Sequence, residues 1–398
     1  MKICFFGFHP LEFGGGLEGF YLWTAVGLTK ADSSLRISIV NVPNNTYERF
    51  GKLVAPLLHL RVSRIIYRED RKEISNILED SRVKWQKVNL GDLRETLENF
   101  DVVYAKSDVV EMSILKWIVG YKNLPSVIIG VHTSPFYPVT KSLSSKLHNF
   151  FYGSFMYEYL AKQATAFHVI NTSDEELFQK RFPHKKVIRI PPRHLDVEEF
   201  KKKAQRYKYR KFIFDGTKLN IAWTGRLTEQ KGVDDLIRIV TEVNRTKYQK
   251  LIAWNIMGEG ELKELVLGLE SKFSNVNYFG HVEYKYMANI LSRNDLLIST
   301  SKWEGLPQNI LEAQAMDLPV ISFSIPGSSD IVQDKRTGFL VDSAKEFILR
   351  IKEFADEKYD FKDISSSIEK RFSPQNVFGQ LISMFKGCAR TQNSKDGL

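Results

Sequence analysis

The stretch 299–323 reads STSKWEGLPQNILEAQAMDLPVISF. It begins at the end of an apolar run, Leu296–Thr300, and passes through a turn holding Gly305 and Pro307. A helical rhythm follows to about Met316, and Pro319 opens a second apolar run, Val320–Phe323. Pro307 suits the first position of a helix, where its missing N–H costs no hydrogen bond. Strand, turn, helix and strand in this order predict a parallel βαβ unit. Free amides at the start of its helix favour an anion such as phosphate.

Glu304 and Glu312 stand eight residues apart in this stretch, one in the turn and one inside the helix. The helical neighbours of Glu312 are Gln308, Asn309, Ala315 and Met316, none of them a cation. A solvated glutamate commonly has such a partner. Two readings of Glu312 stand on the residues alone. It is a surface carboxylate beside a helix packed on its sheet, or it accepts hydroxyl hydrogen bonds, as from a ribose diol.

Outward from this unit the same pattern repeats along the chain. Apolar runs are expected as strands at Lys2–Phe8, Arg36–Asn41, Asp101–Tyr104, Val127–His132, Phe167–Asn171 and Val187–Ile190. A second series is expected at Asn220–Thr224, Ala253–Met257, Asn277–Phe279, Leu296–Thr300, Val320–Phe323 and Gly338–Val341. Most are apolar throughout, as parallel strands buried on both faces are. The fold class is α/β, with two Rossmann-like domains. The boundary is placed at 201–211, KKKAQRYKYRK, where seven of eleven residues are cationic. Domains are expected at 1–195 and 217–375, joined by a basic linker at 196–216. A C-terminal helix and tail at 376–398 is expected to pack back across the first domain. Two such domains meeting at the carboxyl ends of their strands would form a cleft.

Within this frame, polar residues gather at strand ends. Gly225-Arg226-Leu227 ends the strand Asn220–Thr224, and Lys231-Gly232 precedes the next helix. Arg226 and Lys231 at one strand-to-helix junction are either solvated cations or a diphosphate site. Met257-Gly258-Glu259-Gly260 and Phe279-Gly280-His281-Val282 mark two further turns. In the first half, Gly14-Gly15-Gly16-Leu17-Glu18 follows the first strand, and glycines there allow a bulky ligand close to the backbone. Gly14, Gly16 and Gly19 align to G-x-G-x-x-G. However, the second strand ends at Asn41, without the carboxylate of an NAD site. His132 ends the strand Val127–His132, as a structural residue or a functional one.

Taken together, these segments resemble retaining family 4 glycosyltransferases of the GT-B fold. Glu304 to Glu312 is similar to the family's E-x7-E signature, and Gly225-Arg226-Leu227 to Lys231-Gly232 to its G-R-L-x-x-x-K-G segment. Gly15-Gly16-Leu17-Glu18 is similar to its G-G-x-E. The resemblance implies that Arg226 and Lys231 hold a donor diphosphate and that Glu312 holds the ribose. It implies that Glu304 and His132 meet the transferred sugar as catalytic residues, and that Gly15, Gly16, Gly305, Leu306 and Asn309 line the donor. Asp317 departs from the pattern, which has glycine there. So does Pro192-Arg193 in the segment Ile190–Asp196, where the family has Asn-Gly.

The implied activity moves a hexose from a nucleotide-sugar, with UDP-sugars favoured, to a glycan or lipid-linked acceptor. Two other classes stand beside it: a sugar-nucleotide epimerase of similar architecture, and a basic membrane- or nucleic-acid-binding protein on an inactive fold. No D-x-D triplet occurs and the two cysteines, Cys4 and Cys388, lie at opposite ends, so no metal and no cofactor are expected. The net charge of +10 suggests an anionic partner. No helix-turn-helix, zinc-knuckle or RNP pattern is present, and no nucleic acid is expected as partner. The basic-apolar stretch 52–68, KLVAPLLHLRVSRIIYR, is read either as core helix plus strand or as a contact with an anionic membrane. The opening MKICFFGFHP reads as a first strand and not as a leader, so a cytoplasmic location is expected, at most peripheral to a membrane.

Overall fold

The computed structural model describes residues 1–9, 11, 16–46, 71–79, 81–120, 124–132, 135–136, 143–209, 218–356, 359 and 361–389. The stretch 52–68 therefore lies outside the described residues, and so does Gly15. Two units divide the chain. The first comprises Met1–Arg193 with Pro374–Leu398, and the second comprises His194–Ser373.

The first unit is built on a parallel sheet of β1 (Lys2–Gly7), β2 (Arg36–Asn41), β3 (Lys84–Lys87), β4 (Val102–Lys106), β5 (Ser126–Val131), β6 (Ala166–Val169) and β7 (Lys186–Arg189). The order is β3-β2-β1-β4-β5-β6-β7, reversing direction between β1 and β4. Both faces are covered, which is why the inner strands β1, β4, β5 and β6 are almost wholly buried. Cys4 and Phe6 of β1 pack into one cluster, and Ile3 and Phe5 into the other. β3 has no counterpart among the expected strands. It is an edge strand, KWQK, with both end residues exposed, and it carries no apolar run. Trp85 anchors it by donating from Nε1 to Asn41 Oδ1 at 3.0 Å. β6 ends at Val169, before the expected Asn171, because Asn171 leaves the sheet to cap the helix Thr172–Arg181 and accepts from the Asp174 amide.

The helix Pro374–Cys388 belongs to this first unit. Phe378, Leu381, Met384 and Phe385 complete its second cluster. Gly27, on the helix Gly16–Ala31, lets it approach, since a Cβ there would lie 1.9 Å from the Phe378 ring.

The second unit carries β8 (Leu219–Thr224), β9 (Ile252–Met257), β10 (Val276–Tyr278), β11 (Leu296–Ser299), β12 (Val320–Phe323) and β13 (Gly338–Val341). Their order is β10-β9-β8-β11-β12-β13, again all parallel, reversing between β8 and β11. The linker expected at 196–216 is corrected at its start. Val197–Arg206 is a helix with Asp196 as its cap, and it buries Val197 and Phe200 in the second unit. Lys201 pairs with Asp317 at 2.5 Å. The apolar residues Val197, Phe200 and Ala204 recur at helical spacing, and Lys202 and Arg206 are exposed. Among the described residues no helix is long and apolar enough to cross a membrane.

Candidate functional site

In open parallel sheets, ligands bind beyond the carboxyl ends of the strands where the order reverses. In the second unit that point lies between β8, which ends at Thr224, and β11, which ends at Ser299. The two following loops are tied together side by side. Trp223 Nε1 donates to Thr300 Oγ1 at 3.0 Å, and Thr300 Oγ1 donates to the Lys231 carbonyl at 2.9 Å. The Lys302 amide donates to the Gln230 carbonyl, and Gln230 Nε2 to the Trp303 carbonyl. Gly232 sits at the crossing with φ +63°, and a Cβ there would lie 1.9 Å from the Thr300 carbonyl oxygen. Only glycine permits that conformation and that approach together.

This scaffold brings Lys231 and Glu304 into contact. Lys231 Nζ donates to Glu304 Oε1 at 2.5 Å, with the side chains 15% and 11% exposed. Ser301 Oγ donates to the same carboxylate oxygen at 3.0 Å. Arg226 leaves the same turn but is exposed, and its guanidinium donates to Gln230 Oε1 at 3.1 Å. Gly305 and Leu306 continue the loop to Pro307, which is the cap residue and not the first helical one. The helix Gln308–Ala315 has no side-chain cap, so its first amides are left without that partner. Asn309 Nδ2 donates to the Thr224 carbonyl at 2.9 Å and pins this helix start to the end of β8. Its Oδ1 is buried with no hydrogen-bond partner among the described residues. Glu312 lies further along the helix and is only 6% exposed. Gly258, at φ +147°, closes the neighbouring turn against the Gly225 carbonyl.

Asp317 is held away from this group. Its φ of +58° explains why glycine is usual at such a position. Its carboxylate accepts from the Ser365 amide at 2.9 Å and from Lys201. Against its partial burial, these bonds hold its carboxyl below the ordinary range.

In the first unit, His132 follows β5 and is half-buried. Its Nε2 lies 2.6 Å from Tyr104 Oη, which is 2.7 Å from His168 Nδ1. His168 Nε2 is 2.9 Å from the Ile190 carbonyl oxygen. Burial drives the His132 ring well below its ordinary range, with His168 and Lys106 adding to the effect. Burial likewise takes His168 down to about 4, and it raises the Tyr104 phenol. Gly16 opens the helix Gly16–Ala31 after β1. Sequence reading missed Tyr104, His168, Ser301 and Gln230. Each is an ordinary residue on its own segment; only strand pairing brings Tyr104 and His168 to His132, and only the loops bring Ser301 to Glu304 and Gln230 to Arg226.

Residues 218–357 match the sequence model described as "Glycosyl transferases group 1". The match lies within the second unit, and Arg226, Lys231, Glu304, Asn309 and Glu312 all fall inside it. An uncharacterized 41.2 kDa protein in the cps region of Klebsiella pneumoniae is 32% identical over 124 residues, 31% of this chain and 33% of that protein. The UDP-Gal:alpha-D-GlcNAc-diphosphoundecaprenol alpha-1,3-galactosyltransferase of Escherichia coli is 27% identical over 290 residues, 66% of this chain and 68% of that enzyme. The chain thus spans a third of the first relative's length and about two thirds of the second's. The crystal structure of Anabaena HepE in complex with UDP has a TM-score of 0.67 at 14% identity, covering 97% of this chain and 100% of that one. That likeness shows the GT-B fold, with its two Rossmann-like domains.

Proposed function

We propose that this protein is a retaining glycosyltransferase that moves a hexose from a nucleotide-sugar to a glycan or lipid-linked acceptor. The observation that carries the reading is the Lys231–Glu304 pair, set beside the uncapped helix start at the switch point of the second unit. A cation, an uncapped helix terminus and a nearby carboxylate can serve a diphosphate and a hydroxylated sugar at one place. In this reading Lys231 and Arg226 hold the diphosphate, Glu312 accepts from the ribose, and Gly305, Leu306 and Asn309 line the donor. Gly15 and Gly16 serve the donor as well. Glu304 and His132 orient the sugar. UDP is the favoured nucleotide, in line with HepE having been crystallised with UDP. The diphosphate-lipid acceptor named for the E. coli relative favours an acceptor of that kind.

In the transfer, the bond from sugar C1 to the β-phosphate oxygen breaks and its electron pair stays with the phosphate. The acceptor hydroxyl oxygen forms the new bond to C1 on the same face, and its proton passes to the departing phosphate. Stabilising the leaving diphosphate is then the main catalytic task. Lys231 and Arg226 supply that charge without a bridging metal. Turnover is expected to persist in a chelator, and activity lost on chelation and restored by a divalent ion would contradict this.

Ligand binding raises native-state stability. Melting of wild type and Glu312→Ala with UDP, GDP and ADP tests the site. Wild type should be stabilised by UDP and the variant not. A wild type that responds to none of the three nucleotides would end the donor-site reading. Product analysis separates transfer from epimerisation, since an epimerase converts donor without an acceptor.

A further inference from the structure

The hydrogen-bond chain behind His132 has a direction, and that direction can be read from its far end. A backbone carbonyl only accepts, so His168 Nε2, 2.9 Å from the Ile190 oxygen, carries a proton. His168 is fully buried and neutral at physiological pH, so its Nδ1 is a bare lone pair. Tyr104 Oη, 2.7 Å away, must donate to it. A phenol has one proton. At 2.6 Å from His132 Nε2, the Tyr104 oxygen can therefore only accept, and His132 Nε2 carries a proton. A neutral imidazole has a single N–H, which leaves His132 Nδ1 as an acceptor. Among the described residues that nitrogen has no hydrogen-bond partner.

The surroundings hold this arrangement in place. Tyr104 stands on β4 and His168 on β6, either side of β5, which leads into His132. Gly130 on β5 makes room for the junction, since a Cβ there would lie 2.1 Å from Tyr104 Oη and 2.7 Å from His132 Nε2. Phe20 packs on the His132 ring with centroids 4.3 Å apart. We infer that Tyr104 and His168 are positioning residues that lock His132 as the Nε2–H tautomer, so that its Nδ1 accepts a hydrogen bond from a hydroxyl of the transferred sugar. The sugar part of this rests on the function proposed above; the tautomer does not.

Nitrogen-15 spectra of histidine-labelled full-length protein test the tautomer, with His132→Gln assigning the signal. The expected wild-type spectrum at neutral pH shows a neutral ring protonated at Nε2. Tyr104→Phe should convert it to a mixture of tautomers. A wild-type ring protonated at Nδ1, or at both nitrogens, overturns the inference, whether or not the variant folds. So does a folded Tyr104→Phe protein that keeps the wild-type pattern. In transfer assays, Tyr104→Phe should lower kcat about tenfold with little change in donor KM, as expected for a mis-set reacting group. An unchanged kcat overturns the positioning role. A wild type with the expected tautomer that turns over no nucleotide-sugar overturns the functional reading and, with it, the sugar contact.

Discussion

At the residue scale, the Lys231–Glu304 pair is a choice with consequences for stability as well as chemistry. Both side chains are mostly buried, so removing one leaves a charge without its partner. For fully buried pairs that costs about 3–5 kcal/mol, and the remaining exposure here reduces it to about 2–3. Lys231→Met is expected to lower unfolding stability by that amount and to abolish turnover. Adding Glu304→Leu should restore most of the stability and none of the activity, as measured by urea unfolding and a transfer assay. Asp317 makes the opposite case. It pays for a left-handed backbone with bonds to Ser365 and Lys201. Asp317→Gly should therefore lie within about 1 kcal/mol of wild type, because relief of the backbone offsets the lost bonds. Asp317→Ala keeps the strain and loses the bonds, and should cost about 1–2 kcal/mol. Neither should change donor affinity.

At the element scale, the site is a crossing of two strand-to-helix connections, and glycines decide how closely they approach. Gly232→Ala cannot be accommodated by a side-chain shift, because the obstacle is the Thr300 carbonyl. The expected cost is about 2 kcal/mol or more, with a fall in activity because Lys231 is the adjacent residue. Gly268 is the contrast. It lies within the helix Lys263–Lys272 with nothing near its missing Cβ. Gly268→Ala should add about 0.5–1 kcal/mol. Thermal melts of the two variants side by side check both signs.

At the scale of the whole molecule, the chain returns to its first unit through Pro374–Cys388. Phe378, Leu381, Met384 and Phe385 are each buried there. At about 1.5–3 kcal/mol for each such side chain, their loss rivals the roughly 5–15 kcal/mol stability of an ordinary domain. A chain ending at Ser373 is expected to lose its folded first unit, seen as lost solubility or a lost melting transition. Acid should act on the same unit. His168 is held neutral at about 4, below its ordinary 6.5. A depressed folded value means that its contribution is whole above pH 6.5 and is lost as pH falls toward 4. Glu111 has the other sign. Burial first, and then neighbouring Asp108, raise its carboxyl, so its ionisation weighs on the fold as pH rises. Its Oε1 accepts from the Phe8 amide, which a glutamine can replace. Glu111→Gln should be more stable than wild type at pH 8, and the gain should vanish near pH 4, as read from urea midpoints.

The sequence by itself determined the α/β class, because strands buried on both faces must be apolar throughout and are separated by helical rhythm. It also offered Arg226, Lys231, Glu304 and Glu312 as candidates, because they stand in or just after strand-to-helix turns, and the family resemblance added Asn309. It did not show β3, since an exposed edge strand such as Lys84–Lys87 needs no apolar run. It read the helix Val197–Arg206 as a connector, because the cationic run outweighed the two buried apolar residues, Val197 and Phe200. The tertiary structure alone decided that Lys231 meets Glu304, and that Tyr104 and His168 stand in line behind His132. Those contacts join residues far apart in the chain, across neighbouring strands and loops. Register and burial set such distances and protonation states, and neither is a property of any one segment.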